Sequence, residues 1–206
     1  MTLDSISNII TVPKLIVLEG NTSVGKSTLA RGIVDSLNEN EVSAVYRKAI
    51  PSEKNRDSIL ELSLSLPSLE EDMLYVEDLY GLIEEANDLI SSGITVVMDR
   101  YIASKLSYSE VHRSNTEYQQ LLKQIDFSKI PTPDLMFYLH ASNEIKHQRL
   151  GTKTDASAVD LQTIDDPALE LALKQESEKL GAISINTGLF NQRELLDYCV
   201  KNYILK

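Results

Sequence analysis

The stretch GNTSVGKST, from Gly20 to Thr28, constrains this chain more than any other feature of it. A glycine, four residues, a second glycine, a lysine and then Ser or Thr is a spacing with a physical reason. Gly20 and Gly25 allow backbone angles at which consecutive amides converge on phosphate oxygens, Lys26 adds a point charge, and Ser27 offers a hydroxyl to magnesium. An amphipathic helix is expected from Ser27 to Leu37, with Leu29, Ile33 and Leu37 on one face and Ala30 and Val34 widening the stripe. Its positive dipole end points at the same anion. Gly20, Asn21, Thr22, Ser23, Val24, Gly25, Lys26, Ser27 and Thr28 are therefore expected to wrap the phosphate tail of a nucleotide.

The rest of the pattern supplies a frame for such a loop. Five short apolar runs, Leu15 to Leu18, Val42 to Tyr46, Ile94 to Met98, Leu135 to Leu139 and Ile183 to Ile185, lack polar alternation and read as strands buried on both faces. Helical patterns lie between them. Ser68 with Glu71 forms a capping box for a long helix ended by Gly93. Asp166 and Pro167 open another that stops at Gly181, and Asn191 with Glu194 starts a terminal one through Leu195, Cys199 and Ile204. Strands separated by helices pair in parallel, so the expected class is α/β in three layers, a five-stranded parallel sheet flanked by helices. The 206 residues suit one domain, with 42% hydrophobic and 25% charged residues marking a folded globular chain. Residues 151–166, rich in Thr, Asp and Ser, read as a lid loop.

Charge and composition narrow the partners. Acidic residues outnumber basic ones 31 to 20, a net charge of −11 that repels nucleic acid and anionic membranes. No apolar run approaches the length of a signal-peptide core or a membrane span, so the expectation is a cytoplasmic protein without nucleic-acid or membrane partners. The single cysteine, Cys199, reads as a small core residue. The TKTD tetrapeptide from Thr152 to Asp155 follows a helix expected from Asn143 to Leu150, not a strand, and is read as lid sequence. The three histidines are too scattered for a metal site, and the acidic run Glu70, Glu71, Asp72 is a helix-start feature.

The third strand ends in DRYIAS, from Asp99 to Ser104, at the edge of a parallel sheet where ligands bind. There Asp99 can order a magnesium ion and its waters, and Arg100 can grip a phosphate with its two-pronged donor. The glycine loop, DRYIAS, QRLG around Arg149 and INTG ending at Gly188 together resemble thymidylate kinase and its nucleotide-kinase relatives. The resemblance implies a P-loop kinase fold, ATP with Mg2+, nucleotide substrates and pairing as a homodimer. It further implies that Lys26 stabilises the migrating phosphoryl group, that Ser27 and Asp99 hold the metal, that Arg100 and Arg47 orient the acceptor, and that Arg149 closes over the donor. Tyr75 takes the place of the aromatic residue that stacks on thymine.

The chain also departs from the family pattern. Leu79 stands where the family uses a base-reading arginine, Thr22 where an acidic loop residue is common, and neither the loop nor residues 151–166 contain an arginine, leaving Lys153 as a lid cation. The sequence Glu19, Gly20, Asn21 is also similar to deoxynucleoside kinases, in which a general base, here Glu53, would serve a neutral hydroxyl acceptor. Three readings thus stand: transfer of phosphate from ATP to dTMP or a related deoxynucleotide, transfer to a nucleoside, and nucleotide binding without catalysis.

Overall fold

Strand β1 (Leu15–Glu19) is buried along its whole length because it lies in the middle of a sheet covered on both sides. The computed structural model describes residues 12–49, 55, 69–152 and 158–205. From β1 the chain continues through α1 (Lys26–Glu39), β2 (Ala44–Lys48), α2 (Leu69–Ser91), β3 (Thr95–Asp99), α3 (Ile102–His112) and α4 (Asn115–Gln124). It then forms β4 (Leu135–His140), α5 (Asn143–Gly151), α6 (Ala158–Thr163), α7 (Pro167–Lys179), β5 (Ile183–Asn186) and α8 (Gln192–Cys199), which runs into a π turn over Val200–Ile204. The sheet has five strands in the order β2-β3-β1-β4-β5, and every pairing is parallel. This is the expected α/β architecture.

Alternation along β1 builds the two covered faces. Ile16 and Leu18 pack with Leu29, Ile33 and Leu37 of α1 and with Leu195 and Cys199 of α8. Leu15 and Val17 face the other way, onto Val76, Leu79 and Ile83 of α2, Leu106 of α3 and Leu121 of α4. With apolar neighbours on both sides, the central strands show no polar alternation. Leu79, at the position expected to lack its arginine, is 5% exposed and belongs to this second core.

Local signals explain most boundaries. Asp166 accepts the amides of Ala168 and Leu169 ahead of Pro167, and Asn191 and Glu194 form their reciprocal capping box. The Ser68 half of the other expected box lies outside the described residues. Strand β2 begins two residues later than its apolar run, because Glu41 at φ +62° turns the chain and the Val42 amide returns to the Leu37 carbonyl. As an edge strand it tolerates Arg47 and Lys48 at its end. Helices α3 and α4 add to the expected elements, and Ser114 and Glu117 cap α4 with a full capping box. Part of the expected lid, Ala158–Thr163, is helical; Lys153, Thr154 and Asp155 lie outside the described residues.

Asp72 does more than complement a helix dipole. It is 1% exposed and accepts from Lys105 Nζ at 2.5 Å, Ser109 Oγ at 2.8 Å, and Arg113 Nε and Nη2 at 3.0 and 2.8 Å. Burial works against its charge, but Lys105, Arg113 and Ser109 together hold the carboxyl below its ordinary range. It thereby locks α2 to α3 and to the turn before α4. Asp72→Ala leaves the Lys105 ammonium without its carboxylate and Arg113 with Glu71 alone, at 3.2 Å, and should destabilise the fold by about 3–5 kcal/mol, read as a lower urea midpoint. A loss below about 1 kcal/mol, the range of surface ion pairs, would show that the cluster anchors nothing.

Candidate active site

The order of the sheet reverses at β1, which has β3 on one side and β4 on the other, and a crevice opens at the carboxyl ends of these strands. The glycine loop fills the turn from β1 into α1. Gly20 sits at φ +137°, and a Cβ on it would lie 2.1 Å from the Leu139 carbonyl oxygen, so only glycine lets the loop pass β4. Ser23 and Gly25 are also left-handed, at φ +58° and +97°, which curls the loop back onto the start of α1. Lys26 Nζ donates to the carbonyls of Gly20 and Asn21 at 2.9 and 2.6 Å.

Four charged groups meet where β1 and β3 end. Asp99 is fully buried: Ser27 Oγ donates to its Oδ2, Tyr46 OH donates to the same oxygen at 3.1 Å, and its Oδ1 has no partner among the described residues. Arg100, left-handed at φ +76°, donates from Nη1 to Ser104 Oγ at 2.9 Å. Glu19, also fully buried, accepts the Tyr101 and Ser104 amides at 2.7 and 2.9 Å and the Ser104 hydroxyl at 2.5 Å. Burial holds the Glu19 carboxyl above its ordinary range, with Arg100 and the Ser104 and Tyr101 donors opposing only part of the rise.

A cavity of about 820 Å³ brings together the loop residues Thr22 to Thr28, Asp99, Arg100, Arg149, Lys48 and Asp160. Its size suits a nucleotide-sized ligand. Arg149 spans the mouth of the loop, donating to Thr187 Oγ1 at 2.9 Å and to the Thr187 carbonyl at 3.0 Å, with Nη1 3.9 Å from where a Cβ on Gly25 would be. The side chains of Asn21 and Thr22 face the lid segment: Asn21 Nδ2 donates to the Thr163 carbonyl at 2.9 Å, and Thr22 Oγ1 donates to Asp160 at 2.5 Å. Val24 is core.

Two expected substrate contacts stand apart from this cavity. Arg47 donates to Glu85 of α2 at 2.8 and 2.6 Å and to the Tyr46 carbonyl at 2.9 Å. Strand alternation instead brings its neighbour Lys48, paired in register with Asp99, to line the cleft. Tyr75 lies on α2 with the Lys105 ammonium 4.6 Å from its ring centroid. Glu53 lies outside the described residues. Sequence reasoning missed Tyr46, Lys48 and the role of Glu19. The available signal was a charged or polar side chain at the carboxyl end of an otherwise apolar run.

The donor set fits magnesium. An unpartnered buried carboxylate oxygen beside a serine hydroxyl is a hard-oxygen site of the kind that holds this ion with phosphates and water. No cluster of three His, Cys, Asp or Glu side chains placed to hold a metal ion occurs among the described residues.

A glycine loop opening a helix beside a buried aspartate followed by an arginine, on a five-stranded parallel sheet, defines a P-loop nucleotide kinase. The thymidylate kinase family model matches residues 18–180. The thymidylate kinase of Brachyspira hyodysenteriae is 34% identical over 145 residues, which cover 68% of this chain and 69% of that kinase. That of Orientia tsutsugamushi is 30% identical over 147 residues, covering 68% and 65%. The chain thus spans about two thirds of the length of these relatives. The solved thymidylate kinase of Candida albicans has the same fold, with a TM-score of 0.64 at 21% identity over 92% of this chain and 90% of that one. The chain belongs to the thymidylate kinase family.

Burial pushes the Lys26 ammonium down to about 7, with Arg100 adding repulsion and Asp99 and Glu19 opposing it. From there up to the ordinary value of 10.5, the unfolded chain holds a proton that the folded one has released, so this group makes the ligand-free fold gain stability as pH rises through that window. A phosphate tail favours the charged form. ATP binding at pH 8 should therefore take up protons, seen in calorimetry as a binding heat that varies with the ionisation enthalpy of the buffer. Lys26→Arg should abolish that dependence; a buffer-independent heat for the unsubstituted protein would refute it.

Proposed function

We propose that this protein transfers the γ-phosphoryl group of ATP to the phosphate of a deoxynucleoside monophosphate, dTMP or a close relative. The observation that carries this reading is the buried Asp99 carboxylate, one oxygen unpartnered, set among Ser27, Lys26 and Arg100 at the end of β3. Family membership favours a monophosphate acceptor over a nucleoside hydroxyl. A monophosphate already presents an anionic oxygen, so charge neutralisation and alignment suffice and no general base is required.

In this reading the loop amides and Lys26 bind the donor's phosphates, and Ser27 and Asp99 hold Mg2+, whose chemistry when bound is to neutralise phosphate oxygens. Arg100 grips the acceptor phosphate from one side. Lys48 takes the place in the cleft that the resemblance assigned to Arg47. Arg149 stacks over the donor. Residues 151–166 close over the cleft and exclude water, which would otherwise compete as acceptor. The bond from the γ-phosphorus to the bridging oxygen of ADP breaks as one to an acceptor phosphate oxygen forms, and ADP leaves with the electron pair. The reading takes residues 1–206 as one domain, working in the cytosol and paired as a homodimer. No helix among the described residues is long and apolar enough to cross a membrane.

The test is ADP release from ATP against a panel of nucleoside monophosphates, nucleosides and small alcohols. Turnover is expected with dTMP or a related deoxynucleotide; turnover of nucleosides alone, or tight ATP binding without transfer, would overturn the proposal. Lys26→Ala should abolish turnover with little change in thermal midpoint, since burial already presses Lys26 toward its neutral form. Asp99→Asn should lower kcat on the order of 10²-fold or more.

A further inference from the structure

The monophosphate reading leaves open what aims Arg100. Its backbone is left-handed at φ +76°, a conformation that a non-glycine residue holds only where its surroundings enforce it. The Arg100 amide is fixed on the Leu18 carbonyl at 2.9 Å, and among the described residues its guanidinium donates to one side chain, the Ser104 hydroxyl. A hydroxyl can accept from Arg100 only while its own hydrogen points elsewhere. Here that hydrogen goes to Glu19 Oε2 at 2.5 Å, while Glu19 Oε1 is held by the amides of Tyr101 and Ser104 at 2.7 and 2.9 Å.

We propose that Glu19, Ser104 and Arg100 form a polarity relay that aims the acceptor-gripping guanidinium, with Glu19 a positioning residue for phosphoryl transfer rather than only a cap on α3. The inference rests on the function proposed above for Arg100.

Three features support a role beyond folding. Helix α3 has no cap from its own N-cap side chain, Tyr101, so the carboxylate that receives its first amides comes from a different strand. Glu19 immediately precedes Gly20, so the group that orients the acceptor corner is bonded in sequence to the donor loop. Burial of the two members behind Arg100, with Glu19 fully buried and Ser104 at 7% exposure, keeps water from substituting for either of them. Aiming by a shell of fixed hydrogen bonds is how a long charged side chain reaches productive geometry.

The relay makes an isosteric substitution informative. In Glu19→Gln the amide oxygen must still accept from the two backbone amides, which forces the NH2 toward Ser104. Ser104 Oγ then receives a hydrogen from that side and loses the carboxylate that fixed its own, so its lone pair is no longer held toward Arg100. Glu19→Gln should raise the KM for dTMP on the order of 10-fold, the usual consequence of one broken charge-assisted bond. The KM for ATP and the thermal midpoint should change little.

Ser104→Ala removes the hydroxyl whose polarity matters, so adding Glu19→Gln to it should change the KM for dTMP by less than about 3-fold, a strong non-additivity. Additive effects in this cycle would overturn the relay. So would a Glu19→Gln protein with an unchanged KM for dTMP, or one whose two KM values and thermal midpoint all worsen together. Ser104→Ala alone, with its KM for dTMP expected to rise, decides the matter should Glu19→Gln fail to fold. Calorimetric binding of dTMP without ATP separates the two proposals: a wild type that binds dTMP and loses affinity in Glu19→Gln, yet never transfers phosphate, sinks the kinase function and retains the relay.

Discussion

Everything at the functional end of this molecule depends on how four charges are kept at the ends of apolar strands. Glu19 follows LIVL and Asp99 follows TVVM, each fully buried, and each is matched by a cation one or a few residues away in space, Arg100 or Lys26. An ion with no partner at all in such a medium is several kcal/mol unfavourable. The arrangement persists because backbone groups share the load: loop carbonyls take Lys26, and helix amides take Glu19. The sheet thus imposes placement, and the turns impose compensation. What is left over, the second oxygen of Asp99 and the outward face of Arg100, is what a metal and a phosphate can use.

The parts of this arrangement visible in the sequence are those built from local rules. A glycine spacing, a capping pair or an uninterrupted apolar run depends on nearest neighbours, which is why the loop, the parallel sheet and the caps at Asp166 and Asn191 were all legible. What stayed hidden depends on register. Whether Arg47 or Lys48 faces the cleft turns on where β2 starts, and that start is set by a turn at Glu41 that the apolar run from Val42 conceals. Asp72 presents the same difficulty in another form, since an acid in a first helical turn is ordinarily solvated. Only the placement of α3 against α2 surrounds it with Lys105, Ser109 and Arg113. That helix, amphipathic only weakly, left little periodic signal of its own.

The departures from the family pattern look different once packing is considered. Leu79 is a core residue between α2 and the sheet, so an arginine there would have to leave a well-packed site. The cation beside Tyr75 comes instead from Lys105 on the facing helix, tied to Asp72 and lying over the ring. Thr22 is likewise not a bare loss of charge. Its hydroxyl meets Asp160 of α6, so a carboxylate does stand at that point of the cleft, brought by the lid segment rather than by the loop.

That exchange has a structural consequence for the donor site. An acidic loop residue would belong to the loop itself, whereas Asp160 is carried by α6 and acts near Arg100 from the lid segment, tied to the loop by Thr22. Asn21 reinforces the same tie through the Thr163 carbonyl and Glu170, and Glu170 in turn pairs with the buried Lys146 of α5 at 2.8 Å. Helix α5 also carries Arg149 across the loop. The donor's arginine, the lid's aspartate and the loop's own side chains therefore form one connected set. In a cleft whose loop and lid carry no arginine, this connection sets the Asp160 carboxylate of α6 among Lys26, Arg100 and Arg149, held there by the hydrogen bonds of Thr22 and Asn21 to the lid segment.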